Sequence, residues 1–215
     1  LLETGKLSDV GYAIKENVAR SWRRGIELAA AWQALAWLRA DANLTLSANR
    51  IKDYTDYVQH VDTYDNWSET GKTTAVNHGT TTMLMSPSLT GMARLSFKPW
   101  CHASSSLKTM ELSMDGKYVG KQYMDNTMTD SRSIPAYFVS NLAVSYSFPL
   151  SGSVGFARED TIRISFYVNN VFNNMYYADG WCWKNLIEED GAVADGIGVY
   201  PQAPINCMLK VSFRF

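Results

Sequence analysis

Every second side chain is apolar in one segment after another, and that period of two constrains this chain more than any other feature. Leu209, Val211, Phe213 and Phe215 alternate with Met208, Lys210, Ser212 and Arg214. Neighbouring residues of a strand face opposite sides, so such a segment has one apolar face and one mostly polar face. The pattern recurs in Ile162, Ile164, Phe166 and Val168 against Arg163, Ser165, Tyr167 and Asn169. It recurs in Leu142, Val144, Tyr146 and Phe148 against Asn141, Ala143, Ser145 and Ser147. Upstream, Met110, Leu112 and Met114 oppose Glu111, Ser113 and Asp115, while Leu89, Ala93, Leu95 and Phe97 oppose Thr90, Arg94 and Lys98. Ala40, Ala42, Leu44, Leu46 and Ala48 oppose Arg39, Asp41, Asn43, Thr45 and Ser47, and Ile26 and Leu28 flank Glu27. Seven strands are expected. Over Gly25 to Ala42 the alanines also admit a helix with Leu28, Ala31, Trp32 and Leu35 on one face, but alternation on both sides favours a strand.

Connections alternate in length. Short ones fall near Ala34–Trp37, Pro99–Ala103 and Leu150–Asp160, and long ones near Tyr54–Thr80, Asp125–Ile134 and Ala178–Val199. Long strands, short turns at one end and long loops at the other are the layout of outer-membrane barrels. Trp37, Trp100, Phe148 and Phe215 fall near the short turns, and Tyr118, Tyr123, Tyr137 and Tyr177 near the long loops. Aromatic residues at both rims suit two interfacial girdles. A soluble β-sandwich with a wet outer face is the alternative, but it should carry more Lys and Glu than these segments do.

Charge points away from nucleic acid, with 20 Lys+Arg against 21 Asp+Glu. No apolar run approaches the roughly 18 residues of a membrane helix, so a chain crossing a membrane would do so as a closed barrel, its backbone groups paired internally. Leu1-Leu2-Glu3-Thr4-Gly5 has neither the charge nor the apolar run of a secretory signal. A fragment lacking N-terminal sequence is therefore expected. Cys101, Cys182 and Cys207 make no metal-binding spacing, and His60, His78 and His102 are scattered. No metal and no cofactor is expected.

Four blocks resemble one family. Arg24-Gly25-Ile26-Glu27-Leu28, at the end of Asn17–Leu28, is similar to a down-strand of TonB-dependent receptors. Tyr118–Asn126 followed by Ser131-Arg132 resembles a later strand and loop of those receptors. Val168-Asn169-Asn170-Val171-Phe172-Asn173 with Tyr176 and Tyr177 is similar to a third block, and Tyr200-Pro201-Gln202-Ala203-Pro204 leading to Phe215 to their closing strand. The likeness is greatest to receptors of the Bacteroides kind. It implies an all-β, antiparallel transmembrane barrel of about 22 strands, of which residues 1–215 would be the C-terminal part, about seven strands and the tip of an eighth. An N-terminal plug, the remaining strands and the contact to the TonB complex would lie outside this chain. The implied location is the bacterial outer membrane. The implied activity is uptake of a scarce metal chelate, cobalamin or oligosaccharide. A passive porin-like or structural barrel is the competing function, and a soluble binding module the third.

Candidate chemistry is confined to recognition. Ser104-Ser105-Ser106 beside His102 lacks an acid at a recognisable spacing, so no hydrolase and no other enzyme is read here. Tyr54, Tyr57, Tyr64 and Trp67 in the first long loop and Trp181 and Trp183 in the third are the candidate ligand-binding residues, because exposed aromatic rings stack on planar or glycan ligands. Arg94, Lys98, Glu111, Asp115 and Arg163 are expected to face the lumen. The acidic run Glu188-Glu189-Asp190 reads as solvated loop surface.

Overall fold

The computed structural model describes residues 2–7, 13–103, 106–149 and 161–214. The expected roles of Leu1, Ser104, Ser105 and Phe215, and the turn at Leu150–Asp160, lie outside the described residues. A short pair opens the chain, β1 (Leu2–Leu7) against β2 (Ala13–Glu16). Then come β3 (Ser21–Leu35), β4 (Leu38–Asp62), β5 (Ser68–Thr82), β6 (Leu89–Phe97) and β7 (Glu111–Val119). A two-residue pair, β8 (Gln122–Tyr123) with β9 (Ser133–Ile134), precedes β10 (Tyr137–Pro149) and β11 (Thr161–Asn169). The chain continues through the hairpin of β12 (Tyr177–Ile187) and β13 (Val193–Pro201) to β14 (Asn206–Arg214).

Seven of these strands build one curled antiparallel wall in the order β3-β4-β6-β7-β10-β11-β14. Each coincides with an alternating segment of the sequence, and the alanine-rich stretch is strand, not helix, on both sides of a two-residue turn at Ala36–Trp37. Register places like with like. Ile26 faces Leu46, Leu95 faces Met114, Met114 faces Leu142, Val144 faces Phe166, and Phe166 faces Leu209. Directly opposed residues lie on the same face of a sheet, so these pairs join into one apolar surface.

That surface is the exposed one. Ile26 is 60 % exposed and Leu209 66 %, whereas Ser145 and Ser165 on the other face are 7 % and 3 % exposed. A water-soluble sheet would show the reverse, since burying a large apolar side chain is worth about 1.5–3 kcal/mol. No second sheet covers the apolar side among the described residues, so the sandwich alternative fails. The nine residues of β6, β7, β11 and β14 suit a tilted strand crossing a bilayer in about 9–11.

Two of the three long connections are not irregular loops. The expected loop Tyr54–Thr80 is the upper half of β4 paired with β5, and Ala178–Val199 is the β12–β13 hairpin. Beyond the membrane no face must be apolar, so these strands lack the alternation that marks the wall. In the third long connection residues 124–132 lack strand pairing and end in a tight turn at Asp130–Arg132.

Candidate functional site

At the short-turn end the inner face carries a hollow of about 560 Å³ lined by Arg39, Asp41, Arg94, Lys98 and Glu111. Lys98 and Arg163 lie 3.6 and 3.9 Å from the Glu111 carboxylate, Arg94 donates to Ser113 at 3.0 Å, and Asn141 donates to Asp115 at 2.8 Å. All five charged residues expected in the lumen are on this inner face.

The long-hairpin end is packed differently. An extra residue near Asp53 (φ 53°) shifts the β4–β5 register between Ile51 and Tyr54. A bulge of this kind moves the following side chains to the other parity. Ile51 is buried below it, and Tyr54, Asp56 and Val58 above it. The covered face of upper β4 therefore continues the lumen-facing side of the wall. What covers it is the β12–β13 hairpin, which leans over the mouth and pairs in parallel with β4 through Leu186 opposite His60 and Ile187 opposite Val61.

Charges fasten this arrangement. Lys184 of β12 pairs with Asp56 and lies 3.5 Å from Asp125. Arg132, its side chain 6 % exposed, donates Nε to Asp125 at 2.8 Å, a second nitrogen to Asp195 of β13, and its third to Thr127 and Thr129 at 3.0 Å each. Burial pushes the Asp125 carboxyl up, but hydrogen bonds from Thr127 and Arg132 outweigh that and hold it below the usual carboxylate range. Nearer the tip, the Glu188 carboxylate pairs with Lys72 and with His60 at 2.6 Å, and these partners hold it below the usual range. Glu189 accepts from the Thr63 amide and hydroxyl at 2.8 Å each; desolvation opposes its charge, but its own backbone amide, together with these bonds, brings it down to about 2. The acidic run is exposed at the surface, as expected, and there Glu188 and Glu189 clasp the two hairpins together.

Turn chemistry sets where the hairpin leaves the wall. Asn170 and Asn173 both take φ 51°, a left-handed conformation that asparagine tolerates better than most residues. The Asn170 side chain, 2 % exposed, donates to the carbonyls of Asn174 and Ala203 and accepts from the Asn174 amide. Asn173 accepts from the Ile205 amide at 2.9 Å, and Tyr137 stacks on Tyr176 at 4.6 Å. This Asn-rich block therefore welds β10, β11 and β14 at the rim from which β12 rises.

The candidate aromatic residues separate. Tyr54 is buried against His78, their rings 5.9 Å apart, and so is not available to stack on a ligand. Tyr57 projects from the opposite, outer face of β4, and Tyr64 and Trp67 occupy the tip of the β4–β5 hairpin. Trp181 and Trp183 do come together, on the face of β12 turned away from the ionic cluster. Tyr200, opposite Asp179, joins them on that face. In the sequence Tyr200 stands out only as part of the closing-strand block, because nothing local marks the face it shares with the two indoles. Cys101, Cys182 and Cys207 are free thiols, and burial pushes the Cys182 thiol up. Among the described residues no group of three or more His, Cys, Asp or Glu could hold a metal ion.

A wall that is apolar outside and polar inside, with clasped hairpins above one rim, leads to the comparison with known proteins. The family model "TonB dependent receptor-like, beta-barrel" matches residues 4–171. The chain belongs to the TonB-dependent receptor β-barrel family. This family of transport receptors resides in the outer membrane of Gram-negative bacteria, so the hairpins are extracellular and the short turns periplasmic. The siderophore receptor PiuA from Acinetobacter baumannii is similar in fold, with TM-score 0.58, 14 % identity, and coverage of 89 % of this chain and 21 % of that one. The ferric preacinetobactin receptor BauA from the same organism gives TM-score 0.55 and 16 % identity, covering 99 % of this chain and 25 % of its own. This TonB-dependent receptor segment thus spans about a fifth to a quarter of the solved receptors' length. No curated protein matches.

Proposed function

We propose that this chain is wall and extracellular mouth of an active-uptake receptor, its C-terminal part, which binds a scarce ligand outside and imports it with energy from the TonB system. The observation that carries the reading is the clasped β12–β13 hairpin, folded over the mouth on the lumen side. A passive pore gains nothing from an ionically fastened cover; a receptor that must hold a ligand before admitting it does. The outer edges of β3 and β14 pair with nothing among the described residues, and in lipid they require further strands of the same barrel. A plug would meet the charged inner face around Arg94 and Glu111. Metal chelates, cobalamin and oligosaccharides are the ligand classes, and Tyr57, Tyr64, Trp67, Trp181 and Trp183 the aromatic residues within reach of one.

Uptake measured in paired strains decides the matter. The full-length receptor is expressed in cells with and without a working TonB system, and accumulation of labelled ferric chelates, cobalamin and neutral oligosaccharides is followed. Active uptake predicts accumulation of one class that disappears without TonB. Equal entry in both strains would establish the passive pore instead.

A further inference from the structure

The β12–β13 hairpin has two faces with opposite roles. Cys182, Lys184, Asp195 and Ile197 turn toward β4 and residues 124–132, where Lys184 and Asp195 enter the ion pairs. The other face presents Trp181, Trp183 and Tyr200, which are 53 %, 41 % and 55 % exposed. Trp181 sits opposite Gly198 and Trp183 opposite Gly196. A Cβ added at Gly196 would lie 2.7 Å from Nε1 of Trp183, and one at Gly198 would be closer still to Trp181. The two glycines therefore let both indoles lie down over the neighbouring strand, outer ring faces free. Residues two apart on a strand are separated by about 6.6 Å, so the rings form a short ladder. Asp179 and Asn185 flank them on the same face, one at each end, and supply hydrogen-bond acceptors and a donor.

We propose that this ladder is a docking platform for a neutral oligosaccharide. The inference rests on the uptake reading above and names its substrate class. Flat indoles offer their π-faces to the apolar C–H face of a sugar ring, while the carboxylate and amide reach its hydroxyls. Charge selects the neutral ligand over the anionic ferric chelate. Within residues 177–201 the acidic groups are Asp179, Glu188, Glu189, Asp190 and Asp195 and the only basic one is Lys184, itself committed to Asp56 and Asp125. The side of β4 beneath, continuous with the lumen, turns the platform toward the barrel mouth, where an incoming chain of sugars would pass.

The full-length receptor in detergent is titrated with maltoheptaose, cellohexaose and xylohexaose, and separately with ferric enterobactin, by calorimetry and by intrinsic tryptophan fluorescence. One neutral oligosaccharide is expected to bind, to change the tryptophan emission, and to keep its affinity as salt is raised. Trp181→Ala with Trp183→Ala should weaken it about tenfold. Trp181→Phe with Trp183→Phe, which keeps rings on the strand and guards against misfolding, should restore part of the loss. Failure of all three oligosaccharides to bind would overturn the proposal, as would binding indifferent to both double variants. TonB-dependent uptake of the ferric chelate, unaltered in the alanine variant, would overturn it while leaving the active-uptake reading intact. Ladder-dependent sugar binding with equal entry in TonB-deficient cells would do the opposite.

Discussion

Strand β4 belongs to two media, and its halves obey opposite rules. Below Asp53 its apolar residues Leu44 and Leu46 are exposed, 39 % and 45 %, while polar Asp41, Asn43 and Thr45 look inward. Above Asp53 the apolar Val58 and Val61 are buried, together with Tyr54 and Asp56. The lower half has lipid as its solvent and needs only an unbroken greasy surface. The upper half stands in water and is held by packing and ion pairs, as a soluble domain is. One bulge separates the two regimes.

The contrast can be broken from the lipid side first. Val144→Arg with Ile164→Arg places two charges on the apolar face, each costing about 2–4 kcal/mol near the bilayer midplane. Urea titration of the full receptor in lipid vesicles should show the combined loss of stability. An unchanged midpoint would mean that face does not touch lipid. On the water side, Arg132→Ala leaves Asp125 and Asp195 without their shared cation. Loss of one partner of a buried pair costs about 3 kcal/mol at the lower end of the usual range, a fitting choice because the Asp195 side chain is 27 % exposed. Hydrogen exchange should accelerate over residues 122–134 and 177–201 and stay unchanged in the wall. If exchange spread evenly through the barrel, the two halves would not be independent.

Smaller effects sharpen the comparison. Ser165→Ala, on the inner face of β11, removes the 2.9 Å hydrogen bond to Ser145 and should cost about 1 kcal/mol. The same urea titration reads it, well short of the arginine pair. A pH response is expected in the upper region. Glu188 and Glu189 are both held below the ordinary value of 4.5, Glu189 at about 2. A depressed carboxyl contributes its stabilisation fully above the unfolded value and loses it as pH falls toward the folded one. The hairpin clasp should thus loosen between about pH 4.5 and 2. Limited proteolysis with pepsin across that window should cut near residues 62–67 and 188–192 before the wall yields.

The seven wall strands were legible because lipid imposes a period of two on every one of them. The Asn-rich block and Ser131-Arg132 stood out through family likeness, although not as the weld and the ionic hub they prove to be. The outer hairpins look like loops in the sequence for the complementary reason. Strands with water and protein on both sides show no alternating grease, and Glu188 looks like any surface acid until His60, 128 residues distant in sequence, is brought beside it. Tyr54 was legible as an aromatic residue outside the membrane, but the bulge at Asp53 decided which way it points.

By itself the sequence determined the medium on each side of the wall, since alternation is a local property written into adjacent residues. The tertiary structure alone decided which face of the β12–β13 hairpin is clasped by ions and which presents Trp181 and Trp183. That choice depends on where β4, β12 and residues 124–132 meet in space, and contacts between segments so far apart in the chain leave no periodic mark within any one of them.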